Sequence, residues 1–308
     1  MCDFDVFYGQ VTDELAQVYV RHRNLAGGGE YSIRGRVHGP YCEIARTIAS
    51  SVTLRDAGMG ETLLARADIP EPCTWSPDLP ALYEVEIELM RGGECVASDS
   101  RRLGIRRFGP RAKGLYLNGR RYVLRGIHAT SVESITANGS ESAGSFASDL
   151  ETWRECGAAI VIENPSDALC DATSRQGVMI VAQIDANEAV AELRRLSRWA
   201  SVGMLWIDCD TVSPLSLDAA TLRAAAPNVV LAQSLEFGSI TGPAPWAQLA
   251  ICEIDRGANA VEQLNRISIP VIATRKLVHR QPLDAARSAC DALQRDLALA
   301  GLLAGYIV

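Results

Sequence analysis

Residues 1 to about 108 carry short runs in which apolar and polar side chains alternate with a period of two. Tyr83–Leu89, YEVEIEL, sets apolar against acidic positions, which is the pattern of a half-buried strand. The same reading predicts strands at Gln17–His22, Tyr31–His38, Arg46–Leu54, Thr62–Ala67, Leu82–Leu89, Glu94–Ala97 and Leu103–Phe108. Glycine-rich turns separate them at Ala26–Gly29, Gly39-Pro40, Asp56–Gly58 and Gly92-Gly93. About seven short strands at this spacing predict an immunoglobulin-like β-sandwich over residues 1–109.

Beyond a linker expected at Gly109–Gly114, the pattern changes. Leu115–Leu117, Asn118-Gly119 and Tyr122–Leu124 predict a tight hairpin, Asn-Gly being the strongest short turn signal. Short apolar runs then alternate with helical stretches, the signature of βα units on a parallel sheet. Strands are expected at Tyr122–Ile127, Ala158–Ile162, Val178–Gln183, Val202–Ile207, Asn228–Ala232, Gln248–Cys252, Pro270–Ala273 and Leu302–Val308. Helices are expected at Ser148–Cys156, where Ser148 and Glu151 have capping-box spacing, and at Glu188–Trp199, Leu217–Ala226, Ala258–Arg266 and Pro282–Leu299. Glu236–Pro245, rich in glycine and proline, shows no helix. Eight strands predict a (β/α)8 TIM barrel over residues 110–308, compact at about 195 residues against the usual roughly 250.

Composition narrows the function classes. Hydrophobic content of 48% and charged content of 22% are those of a globular chain. A net charge of −7 without a clustered basic face argues against nucleic acid. No apolar run reaches the length of a membrane span, and MCDFDVFYG lacks the basic and apolar regions of a signal peptide, so a cytoplasmic location is expected. Nine scattered cysteines with no Cys-x-x-Cys predict neither a disulfide framework nor a zinc site. No phosphate loop, metal-spaced histidine pair or Ser-His-Asp order is seen, so no cofactor and no metal is expected.

One stretch is more specific. Trp75-Ser76-Pro77, Pro80 and Tyr83 are followed by Gly104-Ile105-Arg106-Arg107-Phe108, then Leu117-Asn118-Gly119 and Leu124-Arg125-Gly126. In this order and spacing the string resembles the sandwich-to-barrel junction of glycoside hydrolase family 2, the β-galactosidase and β-glucuronidase group. The resemblance implies an N-terminal jelly-roll domain, and no segment of this sequence reads as one. It also implies an acid/base Glu in an Asn-Glu pair ending strand four and a nucleophilic Glu ending strand seven. Strand four resembles the family's around Trp199-Ala200-Ser201-Val202 and Trp206, yet the Asn-Glu falls on Asp210-Thr211. Thr274 and Arg275 stand at the nucleophile position. The family's Asn-Arg-His after strand one is His128-Ala129-Thr130, and its strand-two Arg is Ile162, followed by Glu163-Asn164-Pro165.

The resemblance therefore implies the fold without the catalytic carboxylates, and a chain that binds carbohydrate or another protein without cleaving sugars. Active sites of such barrels lie at the C-terminal ends of the strands, where Glu163, Asp185, Asp208, Asp210, Glu236, Glu253 and Asp255 fall. An alternative is an active glycoside hydrolase whose acid pair has moved to Asp208 or Asp210 with Glu253. Another is a structural or assembly role, as a homo-oligomer or with a protein partner. Candidate ligand-binding residues are His128, Glu163, Asp185 and Trp246, the last as a stacking surface for a sugar.

Overall fold

A computed structural model describes residues 4–131, 143–209, 213–236, 242–254, 264 and 267–308. The chain divides into two compact units, Met1–Arg107 with Arg198–Ala200, and Phe108–Ser197 with Ser201–Val308.

The first unit holds β1 (Phe4–Val11), β2 (Leu15–His22), β3 (Tyr31–Tyr41), β4 (Ser50–Asp56), β5 (Leu63–Pro70), β6 (Leu82–Arg91) and β7 (Glu94–Leu103). They form an antiparallel sheet in the order β1-β2-β5-β4-β3-β6-β7, curled into an immunoglobulin-like sandwich. The curl turns on β4. Its residues Ser50–Leu54 pair with β3, whereas Arg55 and Asp56 pair with Arg66 and Ala65 of β5. One strand thus serves both faces, and the apolar sides of both enclose a single core. Val18, Val20, Ile33, Leu54, Leu63, Val85 and Ile87 are buried there. Each such side chain contributes about 1.5–3 kcal/mol by leaving water.

Several elements differ from expectation. The N-terminal strand β1 is not apparent in the alternation because its register shifts between Tyr8 and Val11, which breaks the period of two. β4 starts at Ser50 rather than Arg46. The strand expected at Glu94–Ala97 continues as β7 to Leu103 along a mostly exposed sheet edge, and the polar sequence of its second half hides that extension. No separate strand forms over Leu103–Phe108. The Ile105 carbonyl instead accepts a hydrogen bond from the Trp75 N–H (2.6 Å), and both side chains are buried.

The second unit opens with β8 (Phe108–Arg111), β9 (Gly114–Leu117) and β10 (Arg120–Tyr122), a three-stranded antiparallel sheet. The expected linker at Gly109–Gly114 is therefore a hairpin, with Ala112 at φ 52° in its turn. Asn118 and Gly119 follow at φ 50° and 83°, the doubly left-handed turn the sequence asks for.

Eight parallel strands then close a TIM barrel: β11 (Leu124–His128), β12 (Ala159–Glu163), β13 (Ile180–Asp185), β14 (Val202–Asp208), β15 (Val230–Ser234), β16 (Leu249–Glu253), β17 (Val271–Thr274) and β18 (Gly305–Ile307). Phe108 packs at the N-terminal end of this barrel, beside Gly203. Gly203 is the extra residue of a bulge, since Ile180 pairs with Val202 and Val181 with Met204. A Cβ at Gly203 would lie 3.0 Å from Met179 Sδ and 3.2 Å from Phe108 Cε1, so any larger residue requires these side chains to give way.

The described helices are α1 (Ala143–Glu155), α2 (Asp167–Gln176), α3 (Ala189–Leu196), α4 (Ala219–Ala225) and α5 (Leu283–Asp296). Ser148 lies inside α1 rather than capping it. The helix expected at Ala258–Arg266 falls, apart from Leu264, outside the described residues. α2 is unexpected because its buried face includes Thr173 and Ser174. Thr173 Oγ1 donates to the Leu169 carbonyl (2.7 Å) and Ser174 Oγ to the Cys170 carbonyl (2.6 Å), so the hydroxyls are buried without penalty. Ser166 caps its start and Gly177, at φ 77°, ends it. No helix among the described residues is long and apolar enough to cross a membrane.

Candidate functional site

Parallel register brings a ring of polar residues to the C-terminal end of the barrel. Asp185 and Asp208 are partners at the ends of β13 and β14, and Glu253 and Thr274 are partners at the ends of β16 and β17. His128 ends β11, Glu163 ends β12 and Ser234 ends β15.

The opening has an aromatic centre. The His128 and Trp206 rings approach to 6.0 Å between centroids, tilted by 58°. Their strands, β11 and β14, are separated by β12 and β13, so the rings meet across the opening rather than along one sheet. The Trp206 indole N–H donates to Ser234 Oγ at 2.7 Å, which fixes the ring. Burial, and secondarily the charge of Lys276, hold His128 below the usual histidine range, so it is neutral at pH 7.

The carboxylates lie outside this centre and face water to different degrees. Asp208 is half-buried and its Oδ2 accepts from Gln183 Nε2 at 3.4 Å. Asp185 is exposed and occupied locally, accepting from the Asn187 backbone N–H (2.7 Å) and Nδ2 (2.9 Å). Glu163 and Glu236 are exposed. Glu253 is exposed, with Lys276 Nζ 3.8 Å from its Oε2. Asp210 and Asp255 lie outside the described residues. At the end of β17, where the resemblance puts a nucleophile, Thr274 is buried, and the adjoining Arg275 NH1 donates to Asp296 Oδ2 at 2.8 Å.

Trp246 does not offer a face to a sugar. Its side chain is fully buried, and the indole N–H donates to the Pro214 carbonyl at 2.8 Å. The loop that carries it is drawn in where Gln233 Oε1 accepts from the Ala244 N–H (2.8 Å). Cys252 is also buried, and burial pushes its thiol up to about 12, which removes it as a nucleophile near neutrality. Among the described residues, no three His, Cys, Asp or Glu side chains gather as metal ligands would.

Trp206, Ser234, Gln183 and Lys276 are therefore site residues that the strand-end carboxylates alone do not reveal. Strand parity is the signal for two of them, Gln183 lying two residues before Asp185 on β13. Trp206 lies two residues before Asp208 and so shares its side of β14.

A sequence model of Glycosyl hydrolases family 2 matches residues 9–106, nearly the whole sandwich. No curated protein matches the chain. Among solved structures, β-glucuronidase 2 of Bacteroides uniformis superposes with a TM-score of 0.65 at 16% identity, covering 99% of this chain and 45% of that one. A β-glucuronidase of Parabacteroides merdae gives 0.63 at 12% identity, covering 99% and 48%. A β-glycosidase of Bacteroides vulgatus gives 0.66 at 14% identity, covering 89% and 38%. At such identities the likeness is one of fold. The chain spans under half the length of these three proteins.

Proposed function

We propose that this chain, with its family-2 sandwich and glycosidase-like fold, is a carbohydrate-binding protein that does not hydrolyse glycosides with paired carboxylates. The observation that carries this reading is the end of β17. Thr274, Arg275 and Lys276 stand where a nucleophile is required, with Arg275 held on Asp296. A guanidinium cannot attack an anomeric carbon, and positive charge there opposes an oxocarbenium-like transition state. Glu253, on the neighbouring strand, is paired with Lys276 rather than with a second carboxyl.

The opening supports binding instead. Trp206, steadied by Ser234, supplies an apolar ring face, while neutral His128, Gln183 and Asp208 supply donors and acceptors. An aromatic face with a few fixed polar groups suits a sugar ring.

Two measurements test this. A panel of aryl glycosides should show no turnover, and a glycan array should show binding that is lost in Trp206→Ala. Turnover abolished by Asp208→Asn, Asp210→Asn or Glu253→Gln would establish the relocated-carboxylate enzyme. An array without binding, together with a stable oligomer in solution, would establish an assembly role.

A further inference from the structure

β4 leaves β3 after Leu54, the register partner of Gly35, and crosses to β5 at Arg55 and Asp56. A groove of about 650 Å³ lies where the strands part, lined by Arg34 and Arg36 of β3, Arg55 and Asp56 of β4, and Glu86 and Glu88 of β6. That is the volume of a small-ligand site. Strand parity gathers the arginines. Arg34 and Arg36 are two residues apart and share a side of β3, and Thr53, the partner of Arg36, shares its side of β4 with Arg55. The alternate positions Ile33, Val37 and Leu54 are buried in the core, so the three arginines stand on the outer face, exposed.

The charges of this groove are unequally engaged. Asp56 Oδ2 accepts from the Ile33 N–H (3.0 Å) and its Oδ1 from the Gly58 N–H (2.7 Å). Glu86 Oε2 lies 3.3 Å from His38 Nε2. Arg34 and Arg36 are the register partners of Glu88 and Glu86, yet neither closes an ion pair with its partner. Among the described residues, Arg34, Arg36 and Arg55 make no side-chain hydrogen bond or ion pair. Other arginines of the same sandwich are held: Arg21 and Arg23 on Asp5, Arg66 on Asp68, Arg101 on Asp99. A guanidinium fork matches the paired oxygens of a carboxylate, sulfate or phosphate. Glu88, exposed and also without a side-chain partner among the described residues, is an acceptor for a hydroxyl and opposes a ligand of high negative charge.

We infer that this groove binds a saccharide carrying a single oxyanion group, with Arg34, Arg36 and Arg55 on the oxyanion and Glu88 on a sugar hydroxyl. The site lies wholly within the sandwich unit and uses no residue of the barrel, so it stands independently of the binding proposed at the barrel opening.

The test is an amide NMR titration of the native full chain, at constant ionic strength, with glucose 6-phosphate and with galacturonate, against glucose and inorganic phosphate. At least one acidic sugar should shift the amides of residues 32–36 and 53–56 saturably, and which one does so separates a phosphate from a carboxylate ligand. Glucose and inorganic phosphate should each bind about tenfold more weakly or worse, as expected when charged hydrogen bonds or hydroxyl contacts are missing. Arg36→Ser and Arg55→Ser should each weaken the acidic sugar by about tenfold. Glu88→Gln should weaken the acidic sugar without weakening inorganic phosphate. No saturable shift in these segments, shifts confined to the barrel strands, glucose or inorganic phosphate binding as tightly as the acidic sugar, or an affinity indifferent to both arginine variants would each overturn the inference. Titration of the unaltered chain with the four probes decides the matter even if a variant fails to fold.

Discussion

Arg275 and Asp296 meet at 2.8 Å, joining the end of β17 to the last residue of α5. The pair is about a quarter exposed at each side chain. Asp296→Asn should therefore cost no more than about 1 kcal/mol in urea unfolding, as partly solvated ion pairs do. The more telling variant is Arg275→Glu, which installs a carboxylate beside the position the family uses. It should yield no aryl glycoside turnover, because no acid/base Glu ends strand four. Turnover by this single variant would show that the rest of the machinery is present.

His128 gives the barrel a definite pH dependence. Its folded pKa lies below the unfolded value of about 6.5, so the unfolded chain takes up the proton first as pH falls. The resulting loss of stability is absent above the unfolded pKa, develops as pH drops through it, and is complete below the folded pKa. Melting temperatures of His128→Gln should fall less than those of the unaltered chain between pH 7 and 5. Lys276→Gln removes the secondary cause, so the His128 titration followed by NMR should move upward. A downward movement or none would refute the coupling.

Trp246 should behave as core. Trp246→Ala is expected to cost about 3–5 kcal/mol in chemical denaturation, from lost contacts and the cavity left behind. Trp246→Phe should cost less, although it leaves the Pro214 carbonyl without its indole donor. Glycan binding by a folded Trp246→Phe protein should match that of the unaltered chain. A selective loss of binding would return Trp246 to the site.

Gly203 marks a packing constraint. Gly203→Ala forces a methyl against Met179 and Phe108 and should destabilise by about 1–3 kcal/mol. Met179→Ala in the same background should recover part of that loss, a coupling that a double-mutant cycle measures directly.

The barrel was legible because its parallel strands are buried on both faces. Val178–Gln183 and Val202–Ile207 read as nearly continuous apolar runs and reappear as β13 and β14. The second half of β7 and the whole of α2 were hidden for opposite reasons. β7 is an edge strand with little to bury, while α2 buries hydroxyls that bond within the protein. The candidate site divides similarly. Strand ends could be placed from sequence, so His128, Glu163, Asp185, Asp208 and Glu253 could be assigned to one end of the barrel. The approach of His128 to Trp206 could not, since it depends on how the closed barrel brings non-neighbouring strands together. Nor could the direction of Trp246, because an irregular loop imposes no side-chain parity.

The double allegiance of β4 bears on how the sandwich comes apart. Arg55 and Asp56 rivet one face to the other through the backbone, so neither face can peel away while they remain paired. The unit should lose its structure as a single cooperative block, with the amides of β2 and of β6 opening to hydrogen exchange at the same free energy.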